Sequence, residues 1–545
     1  MSDTTDKKNA AFLLADLDRS ALGLRSRLAD DLAGKCVLRR TLERLLQARQ
    51  LHEIIVFCPT AQAQRVSALT AGLDVQLVGL EHPIPLSPHV RRRKWALASW
   101  RGGLREATVF DEQPVTPEMV LALRDRQVYT ALAVPPEAVL LNPALVDGLI
   151  AYHHEHGQSM RFTFTQAPPG LIGCAYRLDL LHELVQARLG VGDLLAYDPD
   201  GPHGDYIVHE CNFPVPRELA TARLRCLADT ARSFRLLDEL YRRHGPGADD
   251  WDAVRLVATL GPLTAQLGPL PEEIELELNT APSLRMPGYP HRRDDLARGP
   301  LSADLCEKIA RDAAACDDVC LTLGGCGEPL AHPDLPALIA AAHAAGIFAL
   351  NIETDGQALA GPLADALADS PADTFSVFLD ANTPELYARL KGADHFDRLV
   401  RQLEAFAART RARGGPTLVP HLTKTADTLD EMEAFYDRWL RAAGAAVILG
   451  YNDFAGQIPD QAVMDMQPPC RFPCLRLARR LTILADGRAT LCSQDFSGRY
   501  AFASAADHSL ADLWRHPALD QVRLAHAAGN FTGNELCARC KEWHR

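Results

Sequence analysis

The sequence predicts an α/β protein of several domains: an amino-terminal three-layer α/β domain, a partial (β/α)6 barrel of the TIM type, and a small cysteine-rich domain at the carboxy terminus. Three observations predict it. Between about residues 274 and 450, apolar strand-like runs alternate with alanine- and leucine-rich segments of helical spacing. A second strand–helix rhythm occupies the first 195 residues. Five of the fourteen cysteines fall between Cys470 and Arg545.

The bulk numbers set the frame. A chain of 545 residues, 47% hydrophobic and 23% charged, can bury several cores. The opening MSDTTDKKNA is polar where a secretory signal would be apolar, and no uninterrupted apolar run approaches the roughly 20 residues of a membrane span. The expectation is a cytoplasmic protein with no membrane partner. Net charge is −13, and basic residues are dispersed apart from Arg91-Arg92-Arg93-Lys94, which reads as a solvated helix face, so no nucleic-acid partner is expected. In a reducing compartment the cysteines are not disulfides. Nine are scattered, as small buried hydrophobes are, and the five in the tail have the density of a metal site.

The domains follow in order. Residues 1–195 open with the strand AAFLLAD, the basic helix LADDLAGKCVLRRTLERLLQARQ and the strand EIIVFCP, and continue to RFTFTQAPPGLIGCAY. Residues 196–268 hold ELATARLRCLADTARSFRLLDELYRRH and the breaker-rich GPGADD and GPLTAQLGPLPEE, and read as a helical connector and linker. Residues 269–465 carry the strands IELELN, VCLTL, IFALNI, FSVFLD, TLVPH and AVILG, separated by helices such as HPDLPALIAAAHAAG and DHFDRLVRQLEAFAART. That alternation implies parallel strands joined by right-handed crossovers. A complete eight-unit barrel needs about 250 residues, so an open, six-unit barrel is expected, with ligands beyond the carboxyl ends of its strands. Residues 466–545 form the cysteine-rich domain.

At the end of the second barrel strand lies TLGGCGEPLAHPDL, 322–335, with Gly324, Gly325 and Gly327 followed by Glu328. Glycines let a backbone approach a ligand closely, and a glutamate accepts from an ammonium or hydroxyl group. A βα turn with an incidental acid would look the same. The stretch resembles the radical S-adenosylmethionine superfamily, whose second strand ends in a GGE-type motif contacting the amino group of the methionine moiety. The resemblance continues through NIETDG, 351–356, with Asp355 in the middle of the third-strand turn, and SVFLDANTPELYARLKGADHFDRL, 376–399, similar to the fourth-strand signature. It implies that Gly324, Gly325, Gly327, Glu328, Ser376 and Asp380 bind the cofactor. In that superfamily the loop after the first strand carries CxxxCxxC, three thiolates holding a [4Fe-4S] cluster. Aligned by the shared Leu-Arg spacing, these positions are Pro282, Met286 and Tyr289. None is a thiolate. The expectation is that radical initiation is lost and that S-adenosylmethionine binding is doubtful. Cys316 and Cys320 flank the start of the second strand, and Cys326 lies inside the glycine motif, so they do not replace the triad.

The tail reads CRFPCLRLARRLTILADGRATLCSQDFSG, then SLADLW, then CARCKEW. A hairpin turning at Asp486-Gly487-Arg488 projects Cys492, the terminal CxxC adds Cys537 and Cys540, and either Cys470 or Cys474 completes four. Spacing alone leaves zinc and iron–sulfur open. The tail resembles the SPASM domain, an auxiliary-cluster extension of radical S-adenosylmethionine enzymes that modify peptides and other substrates, in its shorter, one-cluster form. The resemblance implies one auxiliary 4Fe-4S cluster. The substrate, small molecule or peptide, is not readable.

Residues 11–180 resemble sugar-activating nucleotidyltransferases, with Gly23, Arg25, Arg27 and Lys35 the nearest matches to the glycine–arginine–lysine loop. The aspartate expected near Pro136 is missing, and Asp16 and Asp18 are the alternative magnesium ligands. A nucleotidyltransferase-like domain beside a SPASM-bearing barrel resembles the spiro-SPASM architecture. Three functions are expected from these readings: an iron–sulfur protein of the radical family with initiation lost, a non-catalytic iron–sulfur scaffold, or a nucleotidyltransferase-like enzyme with an accessory barrel.

Overall fold

A computed structural model describes residues 7–281, 284, 290 and 296–544. The chain forms two compact units, Met1–Gly268 and Pro269–Arg545. Each unit is α/β, and each is built on a mostly parallel sheet.

In the first unit the sheet contains β1 (Asn9–Leu14), β2 (Glu53–Pro59), β3 (Gln76–Leu80), β4 (Thr130–Ala133), β5 (Phe162–Thr165), β6 (Cys174–Arg177) and β7 (Asn212–Phe213), in the order β3-β2-β1-β4-β6-β5-β7. β1 is buried along its whole length, as a central strand covered on both faces must be. The predicted basic helix is shorter than expected: residues 31–36 make a small hairpin, and the helix, α1, is Val37–Leu45. The solvated face expected at 91–94 is also corrected. Arg93 is fully buried against Glu112 at 3.1 Å, and Arg92 pairs with Asp193 at 2.7 Å, so these charges hold the fold.

Residues 196–268 were expected to be a connector. Their helices α2 (Ala231–His244) and α3 (Ala253–Leu267) instead contribute Leu236, Leu237, Leu240, Leu256 and Leu260 to the same core as β1. Polar contacts lock them there: Arg40 of α1 lies 4.2 Å from the Tyr241 ring centroid and pairs with Asp249 at 3.2 Å, and the Tyr241 hydroxyl donates to Asp249 at 2.6 Å. The leucine stripe is the physical reason, because an amphipathic helix buries that face wherever a sheet offers one.

Beside them Glu137, just after Pro136, is buried, and burial with the nearby Asp229 carboxylate pushes its carboxyl up to about 8. A carboxyl whose folded pKa exceeds its unfolded value favours the fold only while protonated. Its contribution is complete below about 4.5 and is lost as pH rises to about 8. Glu137→Gln is expected to gain thermal stability over the parent protein progressively across that window. Melting temperatures that keep the same difference at both ends would count against it.

The second unit is one nine-stranded sheet. Its barrel strands are β8 (Glu273–Glu277), β9 (Cys320–Gly324), β10 (Ala349–Thr354), β11 (Thr374–Phe378), β12 (Thr417–Lys424) and β13 (Val447–Gly450), all parallel and in sequence order. The alternation read from the sequence is thus found strand for strand. Crossover helices pack outside, among them α4 (Phe396–Arg413) and α5 (Met432–Ala443), whose Phe435 and Trp439 are fully buried. The sheet is open, with β13 at one edge.

The tail does not stand apart from this sheet. β14 (Arg480–Ile483) pairs in parallel with β8, and β15 (Arg488–Thr490) and β16 (Ala503–Ser504) extend the sheet antiparallel. The sequence of β8, EIELE, explains why. Ile274 and Leu276 enter the helix-covered core, which turns Glu273, Glu275 and Glu277 to the other face. β14 brings Arg480 to 2.8 Å from Glu273 and 3.5 Å from Glu275, and Thr482 donates to Glu275 at 2.9 Å. Without that strand Glu273 and Glu275 would lose the Arg480 guanidinium that offsets their charge.

Candidate functional site

The carboxyl ends of the barrel strands surround a cavity of about 290 Å³. Its wall includes Glu275 and Glu277 of β8, Gly324, Gly325 and Cys326 after β9, and His421 of β12, while Arg476, Arg480 and Glu542 close it from the tail. Burial raises the Glu273 carboxyl. Against burial, Arg480 and Arg476 hold Glu275 below its usual range. Burial lowers His421 to about 4, leaving it a neutral imidazole whose Nδ1 has no hydrogen-bond partner.

The glycine motif is shaped first by its own neighbours. Gly325 has φ +94, and a Cβ there would fall 2.5 Å from Cγ of Glu277; one on Gly327 would fall 2.3 Å from Oδ1 of Asn279. The loop therefore crosses the end of β8 closely enough to exclude side chains. Gly324 and Gly325 line the cavity, whereas Gly327 packs against the loop after β8.

Glu328 is turned inward. One carboxylate oxygen accepts from Leu330 N at 2.9 Å and Thr354 Oγ1 at 2.7 Å, and the other accepts from Asp355 N at 2.9 Å. Burial, with the Asp355 carboxylate beside it, pushes it up to about 7. It ties β9 to the turn after β10 and does not line the cavity.

Ser376 donates to Asn351 at 2.9 Å, inside the sheet. Asp380 is fully buried, in the left-handed region at φ 59. Its carboxylate meets Lys391 Nζ at 2.6 Å and accepts from Thr423 N at 2.8 Å. The residues expected to contact a nucleoside-type cofactor thus divide: the two glycines reach the cavity, and Glu328, Ser376 and Asp380 are engaged in internal contacts. Pro282, Met286 and Tyr289, where the cluster triad was sought, lie outside the described residues. Cys316 and Cys320 are buried at the start of β9, away from the cavity.

In the tail four thiols lie near enough to shift one another's ionisation. Cys474 precedes the short helix α6 (Leu475–Arg479), Cys492 follows β15, Cys537 lies within the last helical turn, α7 (Glu535–Arg539), and Cys540 follows it. Burial raises Cys492 well above its usual value, and Cys540, Cys474 and Cys537 raise it further, as thiolates crowded into one place do. Burial, Cys474 and Cys540 push Cys537 up to about 12; burial, followed by Cys474, takes Cys540 to about 11.

Backbone amides already address the sulfurs: Glu542 N donates to Cys540 Sγ at 3.3 Å, and Gln494 N donates to Cys492. The Gln494 side chain is buried with neither amide atom bonded. Among the described residues no three cysteine, histidine or acidic side chains are drawn together tightly enough to hold an ion as they stand. The donor set nonetheless suits a thiolate-ligated group: four convergent sulfurs, N–H donors aimed at two of them, and an orphaned buried amide.

Cys470 is exposed and stands outside this set, so the choice the spacing left open goes to Cys474. Sequence reasoning missed Arg476, Ser493 and Glu542, which surround the thiols, and His526, whose Nδ1 accepts from Cys474 N at 3.3 Å. Their only signal is nearness in sequence to the cysteines, and His526 has not even that.

The residues matched to the transferase loop are engaged locally. Arg25 pairs with Asp30 at 2.5 Å and Lys35 with Glu43 at 2.6 Å, Arg27 reaches Asp30 at 3.6 Å, and Gly23 forms a turn at φ +82. Asp16 accepts from Gln62 at 2.9 Å, and Asp18 from the same amide at 3.0 Å and from Arg65 at 3.2 Å. Among the described residues no helix is long and apolar enough to cross a membrane.

Comparison with known proteins adds three findings. Residues 474–541 match the SPASM family, described as an iron-sulfur cluster-binding domain. An uncharacterized protein of Treponema pallidum is 28% identical over 254 residues, covering 44% of this chain and 69% of the relative; a PqqA peptide cyclase of Xanthomonas campestris pv. campestris is 27% identical over 253 residues, covering 39% and 64%. Among solved structures, Streptococcus suis SuiB bound to S-adenosylmethionine is 17% identical, with a TM-score of 0.40 over 57% of this chain and 84% of that one. The chain thus spans about two thirds of the length of the curated relatives it matches.

Proposed function

We propose that the chain is a radical S-adenosylmethionine/SPASM-type protein that holds a single iron–sulfur cluster through Cys474, Cys492, Cys537 and Cys540, beside a barrel that no longer starts radical chemistry. The convergence of four thiols from two separate stretches of the tail carries the first half of this reading. Such clusters are held by four cysteine thiolates, and a chain that gathers four without pairing them calls for a soft metal. The second half rests on residue types. No cysteine occurs between Cys226 and Cys306, so the loop after β8 has no thiolate to offer. Glu328 and Asp380 are spent on internal bonds.

What these residues do with a bound cluster follows from their chemistry. The four thiolates would ligate the irons, the amides of Glu542 and Gln494 would share the sulfur charge, and the group would supply a one-electron centre a short distance from the cavity. In the cavity, neutral His421 and the Glu275–Arg476–Arg480 cluster offer both donors and acceptors. By analogy with the relatives named as peptide cyclases, we take a peptide side chain as the occupant.

The test is iron and acid-labile sulfide per chain after anaerobic purification, with electron paramagnetic resonance of the reduced protein before and after S-adenosylmethionine is added. About four irons, the content of one [4Fe-4S] cluster, and a spectrum indifferent to the additive are expected. About eight irons, the content of two such clusters, with a spectrum that shifts on addition, would overturn the loss of initiation.

A further inference from the structure

Arg476 occupies the wall between the four thiols and the barrel cavity. It lies two residues after Cys474, and its guanidinium touches the neighbours of two other cysteines: Nη1 donates to Ser493 Oγ at 3.0 Å, beside Cys492, and Nη2 to Glu542 at 3.4 Å, two residues after Cys540. On its other side Nη1 stands 3.9 Å from Glu275, and the side chain lines the cavity. Nε has no hydrogen-bond partner. The side chain is 13% exposed, and a guanidinium with an idle N–H set against two carboxylates can serve a further negative charge. Against burial, Glu275, Glu542, Cys492 and Cys540 hold it above its usual value, so it stays charged at every pH of interest.

We propose that Arg476 is a positioning residue for the four-thiol site, tying the segments that carry Cys492 and Cys540 to the helix after Cys474 and placing a positive charge beside them. Binding of a divalent metal by four thiols releases four protons to solvent and leaves a complex of net charge −2. A guanidinium held beside it offsets part of that charge in a medium where screening is weak. Arg471 is another cation near the thiols; its guanidinium donates to the Cys537 carbonyl at 2.7 Å, lies 4.7 Å from the Phe531 ring and does not line the cavity. The Arg476 guanidinium both lines the cavity and bonds to residues that flank Cys492 and Cys540, so charge that enters the cavity is felt at the thiol site through it. This inference rests on the four-thiol site proposed above and not on the identity of the metal that fills it.

The probe is cobalt(II) alone, titrated into the full-length, metal-free protein under anaerobic conditions and followed by thiolate-to-cobalt absorption. Arg476→Gln is expected to weaken binding roughly 10- to 100-fold, the range for removing a residue that supports metal ligands. Arg476→Lys keeps most of the affinity. Arg479→Gln removes a charge from the same helix where it faces Glu272 at 3.7 Å, and leaves affinity unchanged. Glu542→Gln frees Arg476 from a competing carboxylate and tightens binding.

Unchanged affinity in Arg476→Gln, an equal loss in Arg476→Lys, or an equal loss in Arg479→Gln would each overturn the proposal. Should Arg476→Gln fail to fold, Glu542→Gln decides, because weaker binding there contradicts a role for the charge of Arg476. The outcomes separate this inference from the iron reading. Cobalt binding that depends on Arg476 in a protein that takes up no iron sinks the iron reading alone, and iron uptake with cobalt affinity indifferent to Arg476 sinks this one alone. Absence of the thiolate–cobalt band in the unaltered chain sinks both.

Discussion

Cys492→Ala and Cys537→Ala are each expected to lose most of the bound iron, while Cys470→Ala keeps it. Cys492 and Cys537 come from the two stretches that must meet for the four sulfurs to gather, and Cys537 raises the Cys492 thiol; Cys470 is exposed and is not among the groups that shift it. Removing one of four thiolates leaves a three-ligand site with an open iron, which holds the cluster less firmly. The measurement is iron and sulfide per chain for the three variants, purified side by side without oxygen, with circular dichroism as a check on folding. Full iron retention in Cys537→Ala would sink the assignment of the tail. Loss in Cys470→Ala would place the ligand at the wrong cysteine.

Lys391→Met is expected to destabilise the carboxy-terminal unit by about 3–5 kcal/mol, the cost of breaking a buried ion pair from one side. Lys391 and Asp380 meet at 2.6 Å with no exposed side-chain surface on either partner. Lys391 also donates to the Phe378 carbonyl at 2.8 Å, so the substitution orphans a carboxylate and a carbonyl at once. Asp380 holds a left-handed backbone that its bonds to Lys391 and Thr423 keep in place. The double variant Asp380→Asn/Lys391→Met should recover part of the loss, because an amide is cheaper to leave unpaired than a charge. Denaturant midpoints give both numbers. A single variant within about 0.5 kcal/mol of the parent protein, the range of an innocuous surface change, would mean that the pair does not hold the barrel and would return Asp380 to the candidates for ligand contact.

The two predictions show where reading residues one at a time stops working. Glu328, Ser376 and Asp380 stand at the sequence positions where a cofactor-binding barrel keeps polar groups, yet the same groups also satisfy a parallel sheet whose strand ends carry unpaired amides. Which partner an acid meets depends on Thr354, Asp355, Lys391 and Thr423, from 11 to 43 residues away along the chain. Gly325 shows the same ambiguity. Its positive φ was foreseeable from residue type, whereas the Glu277 stem 2.5 Å from a built Cβ was not.

By itself the sequence determined the local and periodic features: the six barrel strands, the hairpin at Asp486-Gly487-Arg488 and the concentration of cysteines in the tail. These are legible because side-chain period and turn chemistry act over a few residues. The tertiary structure alone decided that β14 of the tail joins the barrel sheet beside β8, that the helices of 231–267 belong to the first core, that Cys474 and not Cys470 faces the other thiols, and that Arg476 lies between those thiols and the cavity. Each of these depends on charge or apolar surface that finds its complement far along the chain: Glu273 and Glu275 need Arg480, and the leucines of α2 need the sheet around β1. Burial makes such pairings obligatory, because an unpaired glutamate or an exposed leucine stripe costs more than the chain entropy of bringing its partner in.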